Sequence, residues 1–329
     1  MRITSIQHSL VNRAGLFLLC LFNYACNPSP GKPDEAGGKE LPEKFLMVLG
    51  IAQDAGYPQA GCQKVCCTLY YEGKENKKLI TCLALVDRRS HQYWLLEATP
   101  DIGEQLHRLQ SSAAVDSGSL PSGILITHAH IGHYAGLMQL GREAMGASRI
   151  PVYAMPRLDS FLRNNGPWSQ LVQLQNILLQ PLSADSVLTL GNSFTVQPIR
   201  VPHRDEYSET VGFRISSGRK KILFIPDIDK WEKWEQDINA LVEESDIAFL
   251  DATFFNREEL PGRDMSEIPH PFVSESLQRF SSLPSGQRSK IVFIHFNHTN
   301  PLLKKAAPEK EQVKKAGMAV AEEGMMIEL

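Results

Sequence analysis

The sequence predicts an α+β domain in which two packed sheets carry helices on their outer faces. Three observations point there. Short apolar runs bounded by turn residues recur through both halves of the 329-residue chain. Helix-spaced segments trail the strand-rich blocks. Residues able to bind metal stand repeatedly just after an apolar run, where a strand would end.

Taken in order, Phe45-Leu46-Met47-Val48-Leu49-Gly50-Ile51 is a short buried-strand pattern running into the loop Ala52-Gln53-Asp54-Ala55-Gly56-Tyr57-Pro58. Residues 79–86 and 92–97 read as strands joined by the turn Asp87-Arg88-Arg89-Ser90. Residues 101–109 have helical spacing, with Pro100 well placed at the start. Ile124-Leu125-Ile126 then leads into Thr127-His128-Ala129-His130-Ile131-Gly132-His133, and a helix-like segment follows over 134–140. Further strands are expected at 150–154, 194–201, 211–215, 221–225, 247–250 and 291–294. Helices are expected at 231–242, with Trp231 and Trp234 packing from one face, and at 272–280. No internal repeat is visible.

The N-terminus has a different character. Arg2 and Arg13 precede an apolar run over residues 14–22, and Ala25-Cys26 follows. This is the pattern of an export signal rather than part of the fold. Cys26 after a small residue is expected to be the lipid-attachment cysteine of a bacterial lipoprotein. The protein would then sit on the periplasmic or cell-surface side, held to the membrane by its lipid. Residues 27–43, rich in Pro, Gly, Lys and Glu, read as a flexible tether, leaving 44–329 as the folded domain. After residue 40 no apolar run is long enough to span a bilayer. A net charge of −3 without a long basic block argues against a dedicated nucleic-acid binder and for a small-molecule substrate.

Three of the ten histidines fall within six residues. In extended backbone His128 and His130 point to the same side, because side-chain direction repeats every two residues. His133 falls on the first helical turn, where the helix dipole disfavours imidazolium and predicts the neutral ring a metal needs. Matching ligands stand at later strand ends: His203 after 194–201, Asp227 after Leu223-Phe224-Ile225-Pro226, and His295 after Ile291-Val292-Phe293-Ile294. Nitrogen-rich ligation suits one or two zinc ions, with iron or manganese as alternatives. A metal so held lowers the pKa of its water to roughly 7, so hydrolysis of an ester or phosphodiester is the expected use.

The motif resembles the metallo-β-lactamase superfamily signature His-x-His-x-Asp-His after a strand, and the resemblance covers almost everything beyond the N-terminal segment. It implies an αββα metallo-β-lactamase sandwich of two mixed sheets. It further implies that His128, His130 and His203 hold one metal, that Asp227 bridges, and that His133 and His295 serve a second. Gly132 stands where the family has Asp, which removes a ligand of that second metal. Asp54 and Asp229 are the nearest replacements, although a turn residue and a helix N-cap respectively are the expected roles. His270, before a helix, suits either a helix-start role or that of proton donor to the leaving group; it resembles the histidine before a helix in the tRNA 3′-processing endonuclease branch, which implies the second.

Cys62, Cys66 and Cys67 lie within six residues, a spacing that suits zinc, a disulfide or free thiols. With His298 as fourth ligand, the cluster resembles the structural zinc of the phosphonate-pathway cyclic phosphodiesterases. Cys82 reads as a core residue. Three stretches, Val48 to Gln59, Leu95 to Ile102 and Ile294 to Pro301, resemble the pyrroloquinoline quinone biosynthesis protein B family. That resemblance implies, as an alternative to a hydrolase, a non-hydrolytic coenzyme-maturation or carrier protein.

Overall fold

A computed structural model describes residues 41–329 except 113, 185, 205, 265 and 266. The expected export signal, Cys26 as its expected lipid-attachment site, and most of the tether lie outside the described residues. Among the described residues no helix is long and apolar enough to cross a membrane.

The first sheet takes β1 (Lys44–Gly50), β2 (Cys82–Asp87), β3 (Gln92–Leu96), β4 (Gly123–Leu125), β5 (Ile150–Ala154) and β6 (Ile177–Pro181) in chain order. The second takes β7 (Leu188–Leu190), β8 (Phe194–Arg200), β9 (Val211–Ser216), β10 (Lys221–Ile225), β11 (Ile247–Asp251), β12 (Ile291–Ile294) and β13 (Ala319–Val320). The final strand, β14 (Met326–Glu328), returns to pair with β1. Each sheet is mixed. β1 to β3 and β7 to β10 pair antiparallel, whereas β3 to β6 and β10 to β13 run parallel. This is the αββα sandwich the sequence predicts.

Strand alternation sorts the apolar side chains into layers. On β1, Leu46 and Val48 join Leu83, Leu85, Trp94 and Leu96 in a cluster with Phe194, Val196, Phe213 and Ile215 of the second sheet. The intervening Phe45, Met47 and Leu49 belong instead to a cluster with Leu106, Leu109, Leu137 and Leu158, from the helical segments covering the first sheet. Both faces of β1 are therefore buried, and its sequence reads as an uninterrupted apolar run. Cys82 lies in this outer core, fully buried.

The helices follow the sequence less closely. The segment expected at 101–109 is the helix Ile102–Ser111. The single helix expected after the histidine motif is instead one α-turn, Ile131–Tyr134, continued by the 3-10 segment Ala135–Leu140. The helix expected over 231–242 is broken: a 3-10 turn, Trp231–Lys233, is separated from the helix Ile238–Glu244, which Asp237 caps by accepting from the Asn239 N–H at 3.0 Å. Trp231 and Trp234 consequently share no helix face. Trp231 is buried with its indole N–H on Ser276 Oγ, and the Trp234 indole donates to the Arg200 carbonyl. The apolar spacing is real, but the segment between Lys233 and Ile238 is not helical, and each tryptophan satisfies its N–H on a different element.

What the architecture does for function is gather chain ends. The carboxyl ends of β1, β3, β4, β8, β10, β11 and β12 supply the loops that carry the polar residues described next. Crevices at the carboxyl ends of parallel strands are where open α/β sheets place ligands.

Candidate metal centre

Asp227 sits at the centre. It follows β10 and is buried, and its Oδ2 lies 3.3 Å from His128 Nε2, 3.2 Å from His203 Nε2, 3.7 Å from His130 Nδ1 and 4.0 Å from His133 Nε2. Three groups share this carboxylate, each with its ligand atoms within 4.8 Å of one another: two that hold the expected ligands, His128, His130, His203 and Asp227, and Asp54, His133, Asp227 and His295, and a third of Asp227, Asp251 and His270. All six residues expected as ligands from the sequence are thus brought together. Asp54, expected as a turn residue, joins them: its Oδ1 lies 3.0 Å from His133 Nε2 and 3.4 Å from His295 Nε2.

The inward-facing atoms lack other partners. His128 Nε2, His133 Nε2, His203 Nε2, His295 Nε2 and Asp54 Oδ1 are buried without a hydrogen bond. So many unsatisfied polar atoms converging on one point would be costly, and a cation satisfies them together. The outer ring nitrogens of His128, His203 and His295, by contrast, have hydrogen-bond partners, and that of His133 faces a carboxylate without a hydrogen bond. His128 Nδ1 lies 2.9 Å from Thr127 Oγ1, His203 Nδ1 3.3 Å from Asp229 Oδ1, His295 Nδ1 3.1 Å from Thr253 Oγ1, and His133 Nδ1 3.3 Å from Glu97 Oε1. Partners on the outer nitrogen orient an imidazole and aim the other nitrogen at a metal. The residues present therefore fit one or two metal ions.

Asp229 departs from its expected role. It caps no helix and lies outside all three groups; it orients His203 and accepts from Lys233 at 3.3 Å. Glu97, Asp251 and Thr253 are residues the sequence reading missed. Glu97 is fully buried, accepts from the Thr127 N–H at 3.2 Å, and holds φ at 84°. His295 adopts a positive φ of 69°. Two non-glycine residues in the left-handed region beside one cluster mark backbone conformations imposed by the surrounding structure. Asp251 ends β11 much as Asp227 follows β10, the one sequence signal that could have marked it. Its Oδ1 accepts from the Thr253 N–H and hydroxyl, and its Oδ2 accepts from the Ile228 N–H.

His270 stands at the rim, its Nδ1 2.9 Å from Asp251 Oδ2 and 3.1 Å from Asp227 Oδ1. Burial pulls its pKa down, but the two carboxylates outweigh burial and hold it well above the usual histidine range. His133 behaves the same way: burial is opposed by Glu97 and Asp54, and the pKa ends well above normal. The neutral ring expected from the helix dipole is thus not what its surroundings favour. The helix is a single turn, and two carboxylates within 3.3 Å outweigh a weak dipole. Burial opposes protonation of His203 too, yet Asp227 and Asp229 push it up to about 9. Asp227 moves the other way: burial would raise it, and His203 and His270 hold it well below the carboxylate range. A cation entering this cage displaces protons from imidazoles, so its binding strengthens as pH rises.

A second cluster lies near the same end of the sandwich. Cys62, Cys66, Cys67 and His298 place their Sγ and imidazole nitrogen atoms within 4.8 Å of one another. Cys62 Sγ and Cys66 Sγ are 3.9 Å apart, and the cysteines are free thiols. His298 Nδ1 is buried without a partner. Beside this cluster opens a cavity of about 690 Å³, lined in part by Gln53, Cys62, Lys64, Arg263, Asn297 and His298.

Residues 93–296 match the β-lactamase superfamily domain family. The chain belongs to that superfamily. Within it, the chain is 25% identical over 316 residues to coenzyme PQQ synthesis protein B of Xanthomonas campestris pv. campestris, covering 86% of this chain and 99% of that protein. The crystal structure of Zn²⁺-bound PqqB from Methylobacterium extorquens superposes with a TM-score of 0.72 at 22% identity, over 87% of this chain and all of that one. A diphosphatase from the PhnP family superposes with a TM-score of 0.59 at 21% identity, over 86% of this chain and 96% of that one. The superfamily fold, close to that of PqqB, is therefore that of this chain, and metal dependence is a property of the superfamily.

Proposed function

We propose that this protein is a metal-dependent hydrolase acting on a phosphodiester or another small ester. The observation that carries the reading is Asp227 Oδ2 standing among the inward-facing nitrogens of His128, His130, His133 and His203. His128, His130 and His203 would hold one zinc ion, His133 and His295 a second, and Asp227 would bridge. When bound, zinc supplies Lewis acidity and a water that ionises near neutrality.

The chain's own residues do the rest. Asp227 orients the attacking water through its carboxylate. His270 holds a proton because Asp251 and Asp227 favour its charged form, and that proton goes to the leaving-group oxygen. With Nδ1 committed to the two carboxylates, Nε2 is the donating atom. Glu97 and Asp229 keep His133 and His203 in register. Lys64 and Arg263 lend positive charge to the cavity beside the cysteine cluster, which suits an anionic group. A relative by fold is named a diphosphatase, in keeping with phosphoester chemistry. The Cys62, Cys66, Cys67 and His298 cluster is proposed as a separate structural zinc site.

The purified protein is expected to contain zinc, and His128→Ala to lose metal and lower kcat/KM on a phosphodiester by at least about 100-fold. Undiminished turnover by metal-free protein would sink the reading. The resemblance to coenzyme PQQ synthesis protein B along nearly that protein's whole length favours one alternative, a non-hydrolytic maturation role. Iron in the isolated protein, with oxygen uptake on a tyrosine-derived substrate, would select it.

A further inference from the structure

The motif loop lacks a carboxylate at position 132, yet the second group of ligand atoms does not lack one. We infer that Asp54, from the loop after β1, has taken over as the carboxylate ligand of the second metal ion, and that Gly132 is glycine because Asp54 fills its side-chain space. The inference rests on the hydrolase reading of the centre and adds to it a ligand from a different element.

The geometry is an exchange of positions. A Cβ on Gly132 would stand 2.4 Å from Asp54 Cα, 2.6 Å from its Oδ1 and 2.9 Å from its Cβ. Any side chain at 132 and the present Asp54 therefore exclude each other. Gly132 has no positive φ that would explain the glycine by backbone conformation. From that space Oδ1 reaches His133 Nε2 at 3.0 Å and His295 Nε2 at 3.4 Å while making no hydrogen bond of its own. An ordinary turn aspartate would bond the backbone two residues on.

The loop around Asp54 is held firmly. Gln53 N–H donates to the Phe296 carbonyl at 2.8 Å and Phe296 N–H to the Ile51 carbonyl at 2.8 Å, joining this loop to the residue that follows His295. Ala52 N–H donates to the Leu79 carbonyl at 2.8 Å, and Gly56 N–H closes a turn on the Gln53 carbonyl at 2.7 Å. Asp54 and His295 are thus carried on segments that bond each other directly, which fixes their separation before any ion binds.

The test is metal content per chain by elemental analysis after zinc reconstitution, with cobalt(II) absorption as a second readout. Wild type, Asp54→Asn, Asp54→Ala, Gly132→Ala and His128→Ala are compared. Wild type is expected to fill both sites of the centre. Asp54→Asn and Asp54→Ala should each lose about one equivalent and keep the ion on His128, His130 and His203. Gly132→Ala should lose the same ion although it removes no ligand, because its methyl displaces Asp54. If wild type fills only one site of the centre, or Asp54→Asn keeps both ions, the inference fails while the hydrolase reading stands. Should the Asp54 variants lose every ion together, Asp54 is a structural residue and the inference also fails. A wild type matching His128→Ala, with no ion at the imidazoles, removes the hydrolase reading itself.

Discussion

His203 is held by two carboxylates with different duties. Asp227 faces its Nε2 at 3.2 Å within the ligand group, whereas Asp229 faces Nδ1 at 3.3 Å from outside it. Removing the charge but not the shape of the outer one isolates its contribution. Asp229→Asn is expected to weaken zinc binding by about 10- to 100-fold with little change in folding, as measured by chelator competition. Unchanged affinity would show that the His203 ring is set by packing alone. The six ligands expected from the sequence could be placed because each follows an apolar run at a strand end. Glu97 follows the apolar run of β3 in the same way, but its contact with His133, like that of Thr253 with His295, spans more than thirty residues and is set only by the fold.

At the scale of elements, the one-turn helix carrying His133 works because it docks tightly against the loop after β3. Ala98 N–H donates to the His133 carbonyl at 2.8 Å, and Gly136 N–H donates back to the Ala98 carbonyl at 2.9 Å. A Cβ on Gly136 would lie 1.9 Å from the Thr99 carbonyl oxygen, a backbone atom that cannot rotate away. Gly136→Ala should therefore prise the helix from the Glu97 loop. The expected cost is about 2–3 kcal/mol, read as a lowered Tm, together with weaker zinc binding through the loosened Glu97–His133 contact. A variant as stable as wild type would show that the loop yields freely. The same element shows where sequence reading falters: apolar spacing over 134–140 fits an α-helix, but close docking tightens it into a 3-10 segment.

For the whole molecule, the cysteine cluster joins the first loop to the last buried strand. Cys66 and Cys67 belong to the helix Val65–Tyr71, and His298 follows β12, more than two hundred residues later in the chain. An ion there would close a long loop, and its binding energy would become folding energy. Cys67→Ser is expected to lose about one zinc equivalent and to lower Tm by several degrees, whereas a reductant alone should leave the wild-type Tm unchanged. A Tm lowered by reductant without loss of zinc would point to disulfide chemistry instead. This variant and Asp54→Asn should each remove a different ion, so their metal losses should add.

The sequence by itself determined the layered α+β class, the strand ends at which His128, His203, Asp227 and His295 stand, and the missing carboxylate at 132. Those features are local: apolar period, turn residues and the position of polar residues after a strand can all be read within about ten residues. Only the tertiary structure decided what meets at those ends. It converted Asp54 from a turn residue into a neighbour of His133 and His295, turned Asp229 from a cap into a partner of His203, and overruled the dipole at His133 with two carboxylates. These outcomes depend on packing and distance between segments far apart in sequence, and pairwise electrostatics at 3–4 Å is invisible until the sheets bring those segments together.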